Sequence, residues 1–239
     1  MNEFEIINKY LKPLSFGNRG ALKLKDDIFF DFSKKVAISI DTYVHGNHFI
    51  ETQPELFLKK ILRSSLSDLY CKGIKPESYF LSLSLNKKIA THAWFKKISQ
   101  ILRSEQKKFK ITLVGGDTTK STKLTATIVV LGFSKKKPIL RSSCNNNDDI
   151  YVTGNLCDSY IGLKILKKKH NFGYLNKYFV KKYYEPNLPI RIVPYLHEIA
   201  SASIDISDGL AQDLNHITSI SNYGAIVNLN SIPVSTNCK

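Results

Sequence analysis

Ile111-Thr112-Leu113-Val114-Gly115-Gly116-Asp117-Thr118-Thr119 runs from an apolar, β-branched stretch into two glycines, an acid and two hydroxyls. The apolar part reads as a buried strand. The glycines tolerate φ > 0 and let backbone approach a ligand closely. Asp117 is then expected where a strand ends and a loop begins, a common place for binding groups in α/β folds. Gly-Gly-Asp alone also makes ordinary turns, so the weight falls on repetition. Val36-Ala37-Ile38-Ser39-Ile40-Asp41-Thr42 is an apolar strand running into an acid and a hydroxyl, and Ile204-Asp205-Ile206-Ser207-Asp208-Gly209 repeats the pattern with two acids. Ser67-Asp68 and the pair Asp26-Asp27 add further carboxylates.

Working outward, residues 1–12 place Phe4, Ile6, Ile7, Tyr10 and Leu11 at helical spacing, which predicts an amphipathic helix. Pro54 suits the first turn of a helix, and Leu58, Ile61, Leu62, Leu66 and Leu69 give that helix an apolar side. Tyr79 to Leu85 alternates apolar residues with serines, the mark of a half-buried strand. A second helix is expected over 90–106, and Lys123–Phe133 is rich enough in threonine and valine to be a strand. Lys135-Lys136-Lys137-Pro138 and Asn145-Asn146-Asn147-Asp148-Asp149 mark a shift in composition. The expected division is an N-terminal unit over 1–140 and a C-terminal unit over 141–239. In the second unit strands are expected at 150–154, 201–205 and 224–229, with helices at 159–169 and 210–219. Strands alternating with helices give an α/β or α+β class with at least two sheets.

The 239 residues, 43% hydrophobic and 23% charged, describe a globular chain. No apolar run approaches the ~20 residues of a membrane-spanning helix, and Met1-Asn2-Glu3-Phe4-Glu5 lacks the basic-then-apolar layout of a secretory signal. A cytoplasmic location is expected. Cys71, Cys144, Cys157 and Cys238 show no zinc-type spacing and read as reduced thiols. The net charge of +15 comes as scattered short lysine runs rather than one basic arm, which argues against a nucleic-acid partner.

Carboxylates that converge without paired cations raise one another's pKa, and a fold keeps such a cluster when hard cations neutralise it. Asp27, Asp41, Asp68, Asp117, Asp205 and Asp208, with Ser39, Thr42 and Ser207 as neutral oxygens, offer the ligand chemistry of Mg²⁺ and a nucleotide's phosphates. No histidine or cysteine beside them favours zinc. Taken singly, acids such as Asp208 could equally cap helices. Walker-type, protein-kinase and dinucleotide glycine motifs are absent, so any ATP site must belong to another fold.

Taken together, Ser39-Ile40-Asp41-Thr42, Gly46-Asn47-His48-Phe49, Leu66-Ser67-Asp68-Leu69, Val114-Gly115-Gly116-Asp117-Thr118-Thr119, Arg141-Ser142, Tyr151-Val152-Thr153-Gly154 and Ile204-Asp205-Ile206-Ser207-Asp208-Gly209-Leu210 resemble bacterial thiamine-monophosphate kinases. That family belongs to the superfamily shared with aminoimidazole ribonucleotide and selenophosphate synthetases. The resemblance implies a two-domain fold with an N-terminal mixed-sheet, dimerising, ATP-binding domain and an incomplete C-terminal α/β domain. It implies transfer of the ATP γ-phosphate to thiamine monophosphate with several Mg²⁺ ions, by a homodimer. By matched motif, Asp27, Ser39, Asp41, Asp68, Asp117, Asp205 and Asp208 would hold metals. Gly116, Asp117, Arg141 and Ser207 would contact ATP, and His48 the thiamine phosphate.

The chain departs from that pattern at three points. Lys25 stands where the family has glycine before its acid pair, and Ile40 where it often has threonine. The family also continues beyond this length, so a C-terminally truncated copy is expected. The alternative reading is an inactive remnant that binds nucleotide or a partner chain.

Overall fold

The computed structural model describes Met1 and residues 3–238. One five-stranded mixed sheet organises it: β1 (Phe29–Asp31), β2 (Val36–Val44), β3 (Pro76–Leu85), β4 (Thr112–Lys120) and β5 (Thr125–Phe133). The spatial order is β1-β2-β5-β3-β4, antiparallel except for the parallel pair β3–β4. The helices are α1 (Glu3–Ile6), α2 (Pro54–Cys71), α3 (His92–Phe109), α4 (Asp158–Leu166), α5 (Asn176–Tyr184), α6 (Leu196–Ile199) and α7 (Leu210–Ser221).

Helices α2 and α3 cover one face of the sheet. Pro54 occupies the first turn of α2. Phe57, Leu58, Ile61, Leu62, Leu66 and Leu69 then recur every three or four residues and are all fully buried, each stabilising by roughly 1.5–3 kcal/mol. Gly73, at φ +72, stops the helix, and the Ile74 amide closes back on the Leu69 carbonyl. At the start of α3 the Thr91 hydroxyl caps the Trp94 amide at 3.2 Å, and Trp94, Ile98, Leu102 and Phe109 turn inward. Between the two helices Arg63 and Glu105 form a buried two-pronged ion pair at 2.7 and 2.8 Å.

Alternation along the strands fixes which groups reach this inner face. Ser39, Asp41 and Tyr43 of β2 lie on it with Ile128 of β5 and Leu81 of β3. Ile40, Phe80 and Phe133 lie on the outer face, where Ile40 is 66% exposed.

The strand at 111–119 differs from its sequence reading in two respects. It is the exposed edge of the sheet, not a buried strand. Asp117 sits inside β4, not at its end, because parallel pairing with β3 continues to Leu85–Lys120. Asp41 likewise lies inside β2, whose ladder with β5 runs on through Val44–Thr125. The glycines are needed for strand packing. A Cβ on Gly116 would come within 1.9 Å of the Leu81 carbonyl oxygen, and one on Gly115 within 2.7 Å of the Phe80 ring.

Beyond residue 140 the expected helices form but the expected strands do not. Residues 150–154, 201–205 and 224–229 are irregular, and a second sheet is absent among the described residues. Among the described residues, pairing there is limited to a bridge between Leu156 and Val234. A strand needs a ladder partner for its backbone; without one, Tyr151 and Ile226 stay 87% and 98% exposed. Helices α4 and α5 pack closely because Gly162 lets the Phe179 carbonyl approach. The pair docks on α2 through Lys59–Glu185 at 2.8 Å and through Arg63 donating to the Pro186 carbonyl at 3.1 Å.

The helix expected over 1–12 includes Asn2, which lies outside the described residues. Its continuation is α1 followed by a wider turn at Ile7–Leu11, with Ile6, Tyr10 and Leu11 exposed.

Candidate active site

The inner face of β2 meets the second half of α2 at a group of carboxylates. The Ser39 hydroxyl donates to the buried Asp68 carboxylate. The Tyr43 phenol donates to Asp41 at 2.8 Å and lies 3.0 Å from the Ser65 hydroxyl. From the far end of the chain, Asp205 accepts a 2.6 Å hydrogen bond from Ser67. Among the described residues, Asp41, Asp68 and Asp205 form no ion pair.

The electrostatics follow from that placement. Burial pushes Asp68 well above the usual carboxylate range, the charges of Asp41 and Asp205 push the same way, and the Ser39 hydrogen bond opposes them. Asp205 is raised by burial and by Asp213 and Asp41, against the Ser67 hydrogen bond and the Lys72 charge. Burial also raises the Tyr43 phenol, and the Asp41 charge adds to it.

A second group adjoins the first. The Lys72 ammonium, with 0% of its side chain exposed, lies 2.8 Å from Asp26 and 2.9 Å from Asp27. Its third hydrogen bond goes to the Ser203 carbonyl at 2.9 Å. Arg141 donates from Nε to Asp27 at 3.0 Å and from Nη2 to the other Asp27 oxygen, while its backbone amide donates to Asp26 at 3.0 Å. Burial lowers the Arg141 pKa, opposed by Asp26, Asp205 and Asp213.

The Cys71 thiol shares this corner with Asp27 and Asp205. Burial raises its pKa and it donates to the Asp68 carbonyl at 3.2 Å. Burial thus favours the neutral thiol in the metal-free chain.

The remaining predicted residues are placed as follows. His48 packs edge-on against Tyr43, ring centroids 6.1 Å apart. Its Nδ1 accepts the Val44 amide at 3.0 Å. Ser207 and Asp208 sit on an exposed loop whose three amides, Ser207, Asp208 and Gly209, all donate to the buried Asp213 carboxylate at 3.0–3.1 Å. Asp208 accepts from Gln212 at 2.9 Å. Thr42 points to the outer face and bonds Thr127 at 2.9 Å.

Asp117 and Gly116 are not brought to the cluster. Asp117 pairs with Ser82 in the row that continues through Thr127 to Thr42. It is therefore on the outer face, three strands or about 14 Å from β2. Its carboxylate accepts the Thr118 amide at 2.8 Å.

Lys25 is exposed with φ −116°, so nothing at this position requires glycine. Ile40 faces away from the cluster, so a threonine there would not reach it with its side chain. Lys72, Tyr43 and Asp213 were not among the predicted residues. Tyr43 was within reach of the period-two pattern Ser39-Asp41-Tyr43, and Asp213 of its place four residues after Gly209. Lys72 carried no local signal.

Residues 24–134 match the family model of the AIR synthase related protein, N-terminal domain, which gives the class of the sheet-bearing part. A thiamine-monophosphate kinase of Buchnera aphidicola subsp. Schizaphis graminum is 39% identical over 243 residues, covering 98% of this chain and 74% of the relative. The thiamine monophosphate kinase of Aquifex aeolicus has the same fold, with a TM-score of 0.75 at 26% identity over 88% of this chain and 73% of that one. A structure of AaThiL complexed with AMPPCP and TMP aligns at TM-score 0.80 and 24% identity, over 93% of this chain and 72% of that one. The chain belongs to the thiamine-monophosphate kinase family.

Proposed function

We propose that this chain transfers the γ-phosphoryl group of ATP to thiamine monophosphate, yielding thiamine diphosphate, with Mg²⁺ held in the acid cluster. The observation that carries this reading is the convergence of Asp41, Asp68 and Asp205, which have no ion-pair partner among the described residues. A cluster of hard oxygens with excess negative charge fits Mg²⁺, and Ser39 adds a neutral oxygen at Asp68. When bound, the metal would neutralise charge on the transferring phosphoryl group. Phosphoryl transfer asks mainly for positioning and charge neutralisation.

The protein's own groups supply the positioning. Arg141, whose Nε and Nη2 engage Asp27, is the guanidinium for the nucleotide's phosphates. The Ser207 loop, pinned by Asp213, sets its hydroxyl for the nucleotide. His48, packed on Tyr43, is the group for the substrate phosphate, and Tyr43 holds Asp41 in orientation. The boundary between the two units is placed at residue 140, in the charged and asparagine-rich stretch. The setting is cytoplasmic.

The working unit is a homodimer formed on the outer face of the sheet. Ile40, Phe80 and Phe133 expose an apolar surface there, and large exposed apolar patches mark protein interfaces. Asp117 lies on this face, so it stands at the contact between the two copies and not at the Asp41 cluster of its own chain. Light scattering on the wild type and Ile40→Lys tests this part: a dimer that becomes a monomer supports it, and a wild-type monomer rejects it. Formation of thiamine diphosphate from thiamine monophosphate, ATP and Mg²⁺ tests the activity. A folded, Mg²⁺-supplied protein that binds an ATP analogue without turnover rejects the kinase reading for the nucleotide-binding alternative.

A further inference from the structure

Not every acid in this corner is equipped to hold a metal. Both Asp27 oxygens are already occupied: Oδ2 accepts from Lys72 at 2.9 Å and from Arg141 Nε at 3.0 Å, and Oδ1 accepts from Arg141 Nη2. Asp26 is occupied as well, Oδ1 by Lys72 at 2.8 Å and the Asp27 amide at 2.9 Å, Oδ2 by the Arg141 amide at 3.0 Å. Two carboxylates face one ammonium and one guanidinium, so this quartet is neutral by itself. Lys72 is completely buried, and its three N–H groups are matched by three acceptors. A charge withdrawn from water to that degree persists only when so paired.

We propose that Lys72 is a tethered cation at the Asp26–Asp27 pair, standing where a divalent ion would otherwise bridge these acids. The chain therefore holds its metals through Asp41, Asp68 and Asp205 and none through Asp27. This inference rests on the reading of the cleft as a metal–nucleotide site. It divides the acids into two classes with different cation requirements. One is neutralised by the protein at all times, and the other is neutralised only when metal and nucleotide arrive.

Counting bound Mn²⁺ by electron paramagnetic resonance of the free ion, on the full chain with the β,γ-methylene analogue of ATP, tests it. Wild type and Asp27→Asn should bind the same number of Mn²⁺ ions per chain. Lys72→Met, which removes the charge at similar volume, should bind one more, with at least tenfold tighter Mn²⁺ binding at that added site than wild type shows for any further ion. A count that drops by one in Asp27→Asn overturns the proposal, as does a folded Lys72→Met with the wild-type count. If Lys72→Met fails to fold, Asp27→Asn still decides, because Asp26 remains there to pair Lys72. Failure of the underlying reading looks different: wild type would then bind no Mn²⁺ with the analogue, and Asp68→Asn would change nothing.

Discussion

The inner and outer faces of one sheet carry the same kind of residue to opposite physical states. On the inner face Asp41 and Asp68 are enclosed with Asp205 beneath α2, and burial with mutual repulsion raises Asp68 and Asp205 above the ordinary carboxylate range. On the outer face Asp117 lies open on an edge strand and takes its hydrogen bond from its own neighbour, Thr118. Enclosure, not residue type, separates a carboxylate under electrostatic load from one at ease in solvent. The loaded group stores unfavourable energy that a bound cation would relieve. The open one can act only on something brought to it.

The comparison breaks most sharply at Asp68. Asp68→Asn should lower kcat/KM for thiamine diphosphate formation about 10³-fold or more, roughly 4 kcal/mol of transition-state stabilisation. The thermal midpoint of the metal-free chain should not fall, because the substitution removes a buried charge that is a burden without metal. A variant with near-wild-type turnover would show that the inner cluster is not the site.

Arg63→Met is the contrasting inner-face test, since Arg63 is a buried charge already paired, with Glu105. Leaving Glu105 alone should cost about 3–5 kcal/mol of stability, read from the denaturant midpoint at unchanged slope. A loss below ~1 kcal/mol would mean that this face tolerates unpaired charge generally.

The pH dependence follows from the raised groups. Asp68 and Asp205 have folded-state pKa values above their unfolded ones, so the folded chain holds their protons more tightly. Their contribution to stability is full below the unfolded pKa and is lost as pH rises through the raised values. Without metal, the thermal midpoint should therefore rise by about 2–4 °C as pH drops from neutrality toward the upper carboxylate range. Asp68→Asn should flatten the rise. A midpoint that falls steadily with acid in both proteins would remove the contrast between the faces.

The smallest effect belongs to the outer face. Asp117→Asn should change unfolding free energy by no more than about 0.5 kcal/mol, as expected for an exposed group whose one bond is local. Circular dichroism melts check it, and a loss above ~1.5 kcal/mol would mean that Asp117 is structurally engaged.

Much of the fold was legible. Pro54, the leucine spacing of α2, the alternation in Tyr79–Leu85 and the threonine-valine run of β5 each announce their element through local period and composition. The strands at 150–154, 201–205 and 224–229 were read from the same kind of signal and did not form, because strand composition states a preference while a ladder needs a neighbour. Asp41, Asp68 and Asp205 were picked out by residue type and context and do come together. Asp117 was picked out on equal grounds and does not, since a two-residue period tells which side chains share a face but not which face is covered.

The sequence by itself determined the periodic elements, the inventory of hard oxygen groups and the sign of the charge they carry. Tertiary structure decided the rest: β4 is an edge, Ser67 reaches Asp205 from 138 residues away, and Arg141 and Lys72 neutralise Asp27 while Asp68 is left loaded. Local patterns arise from neighbours a few residues apart. The charge balance of a carboxylate is set by whichever side chains the fold delivers, here Arg141 from 114 residues along the chain.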